Sequence, residues 1–139
     1  MNVAIRYFSR GGNTKKLADA ISQEVGVEAK TVSNPLKEAC DILFLLSSVY
    51  AADVDNRVKD FIQSLDPAKV KKVVNLSTSA SGRTTDKKVK ALLADKGIEM
   101  EEQSFHCSGS FLIVHRNHPD KKDIQKCREF VRNLIDRNL

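Results

Sequence analysis

The sequence predicts an α/β protein whose five-stranded parallel sheet is doubly wound, with helices on both faces. Short apolar stretches alternate with stretches of helical periodicity about five times in 139 residues, and this β-α alternation is typical of a parallel sheet. Residues 42–46 are apolar throughout, which indicates a strand buried on both faces. Hydroxyl-bearing and small residues follow three of the strands. Right-handed crossovers favour the strand order 2-1-3-4-5.

The composition indicates a single domain over residues 1–139. The N-terminus lacks the pattern of a signal peptide, and no apolar run is long enough to cross a membrane. An odd, sparse set of three cysteines predicts reduced thiols in a cytoplasmic protein. The net charge of +5 is typical of a solvated surface, and it is also compatible with an acidic partner or weak contact with nucleic acid. Nucleic acid is not expected to bind, because the lysine pairs are scattered and no aromatic residues lie between them.

The first half of the chain predicts three strands and two helices. The strands are expected at residues 3–8, 28–32 and 41–46, with a brief turn or helix beginning at Asn34 and Pro35. The first helix follows a glycine-rich turn, and Asp66 and Pro67 close the second. The apolar positions of the two helices are Leu17, Ala18, Ile21 and Val25, and then Val54, Val58, Phe61, Ile62 and Leu65.

The second half predicts two more strands and two more helices. A short strand at residues 73–76 leads into a polar loop at residues 77–82, and a helix then ends before Gly97. Residues 98–107 predict one long, half-polar strand at the edge of the sheet. The last helix is expected to begin near Pro119, since proline favours the first helical position. Its buried face is expected to comprise Ile124, Cys127, Val131, Leu134 and Ile135.

Three segments follow strands at the carboxyl edge of the predicted sheet: residues 9–14, 47–53 and 77–82. In the first, a strand runs through Ser-x-Gly-Gly-Asn-Thr directly into a helix. Glycines allow successive backbone N–H groups to point inward, and the helix N-terminus adds positive potential, so the segment can hold a phosphate without lysine. A tight strand-helix turn with a capped helix explains the same spacing. The common dinucleotide and nucleoside triphosphate patterns are absent.

The second segment contains Tyr50, one of two tyrosines in a chain without tryptophan. At the ligand edge of a sheet, its ring offers a flat face to a planar ligand. Packing of the same ring against its own helix is the alternative. The spacing alone leaves both readings open.

These segments together resemble the flavodoxin family over nearly the whole chain. The motif YFSRGGNT at residues 7–14, followed by Ala18 and Ile21, resembles the flavodoxin phosphate loop. Residues 48–50, followed by a helix that ends in VKDFI, are similar to the second flavin loop, and LSTSASG at residues 76–82 resembles the third. FHCSG at residues 105–109 and NHPD at residues 117–120 resemble the closing segment of short-chain members.

The resemblance implies a flavodoxin-like fold and bound FMN, with Tyr50 stacked on the flavin ring. The residues that it implies for the phosphate are Ser9, Arg10, Gly11, Gly12, Asn13 and Thr14. Those implied for the ring are Ser48, Val49, Tyr50 and Ala51, with the backbone of Thr78, Ser79, Ala80, Ser81 and Gly82 at the pyrimidine edge. An uninterrupted strand over residues 98–107 fits the short-chain type.

The function implied by the resemblance is electron transfer to redox partner proteins through the semiquinone and hydroquinone states of the flavin, by a monomer or weak dimer. No nucleophile or acid–base pair stands out, which favours an electron carrier over an enzyme; a catalytic version would be an FMN-dependent oxidoreductase. The chain departs from the family at Arg6, where an apolar residue is preferred, at Ala51 and Ala52, and in its basic charge. An interaction domain that has lost flavin, or a small quinone or flavin reductase, are the alternatives.

Two other classes of site are not expected. A receiver domain needs acidic residues after the first and third strands to bind Mg²⁺, and the sequence has Ser9-Arg10 and Ser47-Ser48 there. The spacing of the candidate metal ligands matches no usual zinc pattern, so no metal is predicted. These candidates are His106, Cys107, His115, His118 and Cys127. Cys107 has no resolving cysteine nearby in sequence, and Cys127 is predicted to lie in the core.

Overall fold

The computed structural model describes residues 1–49, 53–109 and 118–138, and it confirms a parallel sheet with helices on both faces. The strands are β1 (Val3–Tyr7), β2 (Ala29–Thr31), β3 (Cys40–Ser48), β4 (Val70–Ser79), β5 (Glu99–Met100) and β6 (Phe105–Ser108). The helices are α1 (Asn13–Val25), α2 (Asn56–Ser64), α3 (Asp86–Asp95) and α4 (Lys121–Asn138). None of these helices has the length and apolar character that crossing a membrane requires.

The strand order is β2-β1-β3-β4-β5, with every pair parallel, as predicted. The central pairing, β3 with β4, runs from Cys40 opposite Val70 to Ser48 opposite Thr78. β1 pairs with β3 up to Tyr7 opposite Leu46. Because parallel strands all end at the same edge, the segments that follow β1, β3 and β4 begin side by side.

The prediction of a single edge strand over residues 98–107 is wrong, because two separate strands, β5 and β6, each pair with β4 in this region. Between them the chain leaves the ladder. Glu101 still donates its backbone N–H to the Val73 carbonyl at 2.8 Å, but its side chain turns to the Lys72 ammonium at 3.1 Å. The Ser104 hydroxyl donates to an Asp86 carboxylate oxygen at 2.6 Å. Side-chain bonds therefore replace the strand ladder in the most polar part of this edge.

The fourth strand is longer than predicted, and residues 77–79, expected in a loop, belong to it. Ser77 and Thr78 lie opposite Ser47 and Ser48 of β3, and Ser79 lies opposite Ser108 of β6. Two neighbouring strands thus hold this polar end of β4 in the ladder. Hydroxyl-bearing residues predicted a loop here, but the pairing partners on both sides decided the structure.

The core consists of two layers, one on each face of the sheet. On one face, α1 and α4 pack their apolar stripes against the sheet, and Leu17 and Leu134 are fully buried beside Phe44. On the other face, α2 and α3 cover residues such as Leu43. Cys127 is fully buried on α4, which confirms its predicted place in the core. The apolar run of β3 is explained by this burial on both faces.

The connection from β2 to β3, residues 32–39, forms a turn and contains no helix. Arg6 of β1 holds it in place. Its side chain is 7% exposed, and its guanidinium donates to the carbonyls of Asn34 at 2.9 Å, Pro35 at 3.3 Å and Ile5 at 3.0 Å. Burial lowers the pKa of Arg6. The residue that departs from the family at this strand position therefore anchors the connection.

Replacement of Arg6 tests this anchor. Arg6→Lys keeps the buried charge but removes the planar fork, so we expect it to lower the free energy of unfolding by about 1–3 kcal/mol. Arg6→Met removes the charge together with its bonds and should cost less. Urea unfolding of the three proteins gives the order. A lysine variant as stable as the wild type would show that the three bonds contribute nothing.

Candidate functional site

Three loops meet at the carboxyl edge of the sheet. We name them loop 1 (residues 8–14, which include the first two residues of α1), loop 2 (of which residues 49 and 53–55 are described) and loop 3 (residues 80–85). Of the residues predicted for the site, Asn13 and Thr14 lie in the first turn of α1, Ser48 ends β3, and Thr78 and Ser79 end β4. The predicted residues Tyr50 and Ala51 lie outside the described residues. The others occupy the loops themselves.

Loop 1 passes through a left-handed glycine into the start of α1, which has no side-chain cap. Gly12 has φ 88°, a conformation that favours glycine, and its N–H donates to the Ser9 hydroxyl oxygen at 3.0 Å. The first turn of α1 contains no acidic residue, whereas α2 begins at the capping carboxylate of Asp55 and α3 and α4 carry an aspartate in their first turns. The N-terminus of α1 therefore keeps its positive potential for an anion.

A buried pair of hydroxyls joins loop 1 to the end of β4. Thr14 Oγ1 and Thr78 Oγ1 lie 3.0 Å apart, and the two residues are 1% and 2% exposed. The backbone carbonyl of Thr78 accepts the N–H of Val49 from loop 2 at 3.1 Å. Thr78 therefore binds loop 1 through its side chain and loop 2 through its backbone.

Gly109 closes the same corner, although sequence reasoning did not select it as a site residue. Its N–H donates to the Ser79 carbonyl at 3.1 Å. A Cβ atom at Gly109 would lie 3.2 Å from Asn13 Nδ2 and 3.3 Å from Thr78 Cβ, which is too tight for ordinary packing. The backbone after β6 thus approaches loop 1 and β4 as closely as glycine allows. The motif FHCSG, in which this glycine follows a strand, was the signal that could have identified it.

A buried polar network supports loop 3 from below. The Asn75 amide donates to Thr85 Oγ1 at 2.9 Å and to Asp86 Oδ1 at 2.7 Å. The Thr85 N–H donates to Ser77 Oγ at 3.4 Å, and the Ser47 hydroxyl donates to Thr85 Oγ1 at 3.3 Å. Among the described residues, Asn75 Oδ1 is buried without a partner. Loop 3 starts directly after β4, and these bonds fix its other end, at Thr85, to the same strand. The backbone of loop 3 is therefore held in a defined position.

Loops 1 and 2 are joined by an ion pair at the surface. Arg10 donates to Asp55 Oδ2 at 3.0 Å, while Asp55 Oδ1 caps α2 by accepting the N–H of Arg57 at 2.9 Å. Partial burial opposes ionisation of Asp55, but the Arg57 N–H and the Arg10 guanidinium hold its pKa below the usual value. One carboxylate thus both begins a helix and fixes the tip of loop 1.

A groove with a volume of about 790 Å³ lies beside loop 1. Its lining comes from the end of β1, loop 1, the start of α1, the end of β2 with the residues after it, and α2. None of it comes from loop 3. The Arg57 guanidinium lies 5.0 Å from the centre of the Phe8 ring on this wall. The groove lies beside the connection from β2 to β3, which contains no helix.

The thiols are unsuited to nucleophilic chemistry. Cys40, Cys107 and Cys127 are free, and burial is the main cause that raises their pKa values to about 11, 12 and 12. Thiolate is the reactive form of cysteine. Near neutral pH these side chains therefore remain protonated.

One group of described residues could surround a cation: His118, Asp120 and Asp123, whose ligand atoms lie within 4.8 Å of one another. Of the metal candidates considered from the sequence, only His118 belongs to it. Asp120 and Asp123 accept each other's backbone N–H at 2.9 Å, and Asp123 also bonds His118 Nδ1 at 2.6 Å. The arrangement is that of a capping box at the start of α4, which accounts for the cluster without a metal.

Known proteins resemble this chain in sequence and in fold. A family model described as a flavodoxin domain matches residues 4–129, whereas no curated protein sequence matches. A flavodoxin from an archaeon is 15% identical and has a TM-score of 0.79, with 99% of this chain and 98% of that chain covered. Flavodoxin 2 from Bacillus cereus is 17% identical, with a TM-score of 0.73 and 99% of both chains covered. A WrbA-like protein from Agrobacterium tumefaciens is 14% identical, with a TM-score of 0.72 and coverages of 95% and 93%.

The two roles of Asp55 can be separated by mutation. Asp55→Asn keeps a capping oxygen but loses the ion pair with the half-exposed Arg10, so we expect a loss of at most about 1 kcal/mol in the free energy of unfolding. Asp55→Ala also removes the cap and should lose about 1 kcal/mol more. Urea unfolding measures both, and Arg10→Gln should match the asparagine variant. Equal losses for asparagine and alanine would mean that the cap contributes nothing.

His118 should titrate above its ordinary pKa, because its hydrogen bond to Asp123 favours the charged imidazole. A raised pKa in the folded state stabilises the protein below the unfolded value of about 6.5. This stabilisation is lost as the pH rises through the pKa of the folded state. NMR titration should show a lower pKa for His118 in Asp123→Asn than in the wild type. If both proteins gave the same value, the bond to Asp123 would not be the cause.

Proposed function

We propose that this chain, which belongs to the flavodoxin family, binds FMN at the carboxyl edge of its sheet and transfers electrons between redox partner proteins. The family match over residues 4–129 supports the proposal. The bound flavin would supply the redox chemistry, and the protein would supply binding, orientation and electrostatics. Cytoplasmic location is part of the proposal, since the three free thiols fit a reducing compartment.

The start of α1 is the observation that carries the proposal. Loop 1 combines a left-handed glycine, a helix N-terminus without a carboxylate, and the buried Thr14 hydroxyl. A phosphate dianion matches all three, because it accepts hydrogen bonds and is attracted to the positive end of the helix. We assign the phosphate to Ser9, Arg10, Gly11, Gly12, Asn13 and Thr14.

The flavin ring is assigned to the space between loops 2 and 3. The backbone bond from Val49 to Thr78, two residues before loop 3, brings the starts of the two loops together. The network around Asn75 fixes the far end of loop 3 at Thr85. A fixed backbone can bind the polar edge of a ring with little loss of entropy. We assign that edge to residues 78–82 and keep Ser48, Val49, Ala51 and the stacking of Tyr50 as proposals.

The charge of the chain favours an acidic redox partner. Arg83 is exposed within loop 3 and makes no ion pair among the described residues. With a net charge of +5, the protein should attract a negatively charged surface over a distance of about one Debye length, which is about 10 Å at 0.1 M salt. The rate of association with such a partner should therefore fall as salt is added.

Flavin titration tests the proposal, with two glycines as a matched pair. Gly12 and Gly26 both have left-handed backbones, with φ 88° and 72°, and both have open space at the Cβ position, but only Gly12 lies in loop 1. Alanine at either site costs about 1–2 kcal/mol of backbone energy. Alanine at position 12 should let the free loop relax from the left-handed conformation that the phosphate requires, so binding must restore it, and we expect Gly12→Ala to weaken FMN binding about tenfold. Gly26→Ala strains the other end of α1 and should leave binding unchanged. Fluorescence titration measures both.

Riboflavin provides the control for the phosphate. The wild type should bind FMN more tightly than riboflavin, and Gly12→Ala should reduce that preference. Equal affinity for both flavins would rule out loop 1 as the phosphate site. Failure to bind either flavin would favour an interaction domain without cofactor.

A further inference from the structure

We propose that the Thr78 hydroxyl makes the site specific for a phosphorylated flavin, by orienting the Thr14 hydroxyl towards the phosphate. The inference rests on the proposed function, since it assumes that loop 1 holds the phosphate. It gives the Thr78 side chain a role separate from the backbone contacts assigned to residues 78–82. Thr78 would act through Thr14 and is therefore a positioning residue.

The number of protons in the pair carries the argument. Thr14 Oγ1 and Thr78 Oγ1 are 3.0 Å apart, a distance that accommodates one hydrogen. Each hydroxyl has one proton to donate and can accept two bonds. If Thr14 donates to Thr78, its only proton is used and it has none for an anion. If Thr78 donates to Thr14, the proton of Thr14 is available to an acceptor in loop 1.

A phosphate selects the second arrangement. Its oxygens accept hydrogen bonds and donate none when the group is a dianion, so Thr14 must be the donor to it. Thr14 can then accept the proton of Thr78, and the two bonds form a chain that ends on the anion. Each bond in such a chain polarises the next and strengthens it. Riboflavin ends in a neutral hydroxyl that can accept or donate, so it imposes no such direction.

The surroundings of Thr78 hold its hydroxyl in a fixed position beside Thr14. The residue lies in β4 between Ser48 of β3 and Cys107 of β6, which are its partners in the ladder. Its Cβ atom lies 3.3 Å from the place that a Cβ at Gly109 would occupy, so the backbone of Gly109 covers it. Thr14 and Thr78 are 1% and 2% exposed, so water has little access to the pair. Water cannot readily substitute for either hydroxyl.

Substitution of Thr78 can remove the hydroxyl and keep the rest. Thr78→Val has nearly the same shape, suits a strand, and retains the carbonyl that binds Val49. Thr78→Ser restores the hydroxyl. Ser47→Ala serves as the matched control. Ser47 precedes Ser48, the partner of Thr78 on β3, and its buried hydroxyl contacts Thr85 instead of loop 1. Thermal melts of the proteins without flavin separate loss of folding from loss of binding.

The ratio of the dissociation constants for riboflavin and FMN is the quantity to measure. We expect Thr78→Val to reduce this ratio about 3- to 10-fold, the worth of one hydrogen bond, mainly by weakening FMN. Thr78→Ser should keep the wild-type ratio. Ser47→Ala should keep it too, because any effect through loop 3 falls on the ring that FMN and riboflavin share. In a Thr14→Val background, Thr78→Val should have no further effect on the ratio, because the chain is already broken.

Three outcomes would overturn the inference while FMN binding stands. Thr78→Val could weaken FMN and riboflavin equally, or Thr78→Ser could lower the ratio of dissociation constants as much as Thr78→Val does. The effects of the Thr14 and Thr78 substitutions on the ratio could also be additive. Inorganic phosphate provides an arm that needs no flavin, through its stabilisation of the apoprotein against heat. If neither flavin binds but phosphate stabilises the wild type more than Thr78→Val, the proposed function fails and the pairing of Thr78 with Thr14 is supported. If phosphate has no effect either, both fail.

Discussion

The parallel pairing of β3 with β4 is the constraint on which the other features of this molecule depend. The ladder continues from the apolar core to Ser47 opposite Ser77 and Ser48 opposite Thr78. Because hydroxyl-bearing residues remain in register at the ends of both strands, loops 2 and 3 begin at the same level. β1 joins the same ladder, so loop 1 begins beside them. Shifting this register by one residue would exchange the faces of the sheet to which these side chains point.

The polar ends of the strands require partners, since a buried hydroxyl or amide without a hydrogen bond is costly. The two faces of β4 meet this requirement differently. On the α1 face, Thr78 finds a single hydroxyl of Thr14. On the α3 face, Asn75 and Thr85 belong to a network that reaches Asp86. One face therefore holds a simple pair whose proton can be redirected, and the other a branched network that stiffens loop 3.

Periodicity alone predicted most of the fold, because burial on two faces leaves a clear pattern in β3 and in the amphipathic helices. Loop 1 was predictable for a similar reason: a left-handed glycine and a helix start are local features. The break between β5 and β6 was not, since it depends on partners such as Lys72 and Asp86 that lie elsewhere in the chain. The same holds for the close approach of Gly109. Residue types indicate local conformational preferences, whereas the structure of a sheet edge depends on the residues that pack next to it.

The connection between β2 and β3 has a consequence for how the domain could be enlarged. Its residues 33–35 are exposed, and the carbonyls of Asn34 and Pro35 are held by the Arg6 guanidinium rather than by a packed helix. Chain added at such a position costs little in loop entropy and would not alter the ladder between β3 and β4. This corner is therefore a suitable point of insertion, where a further element could be added beside loop 1 without altering the edge that forms the candidate site.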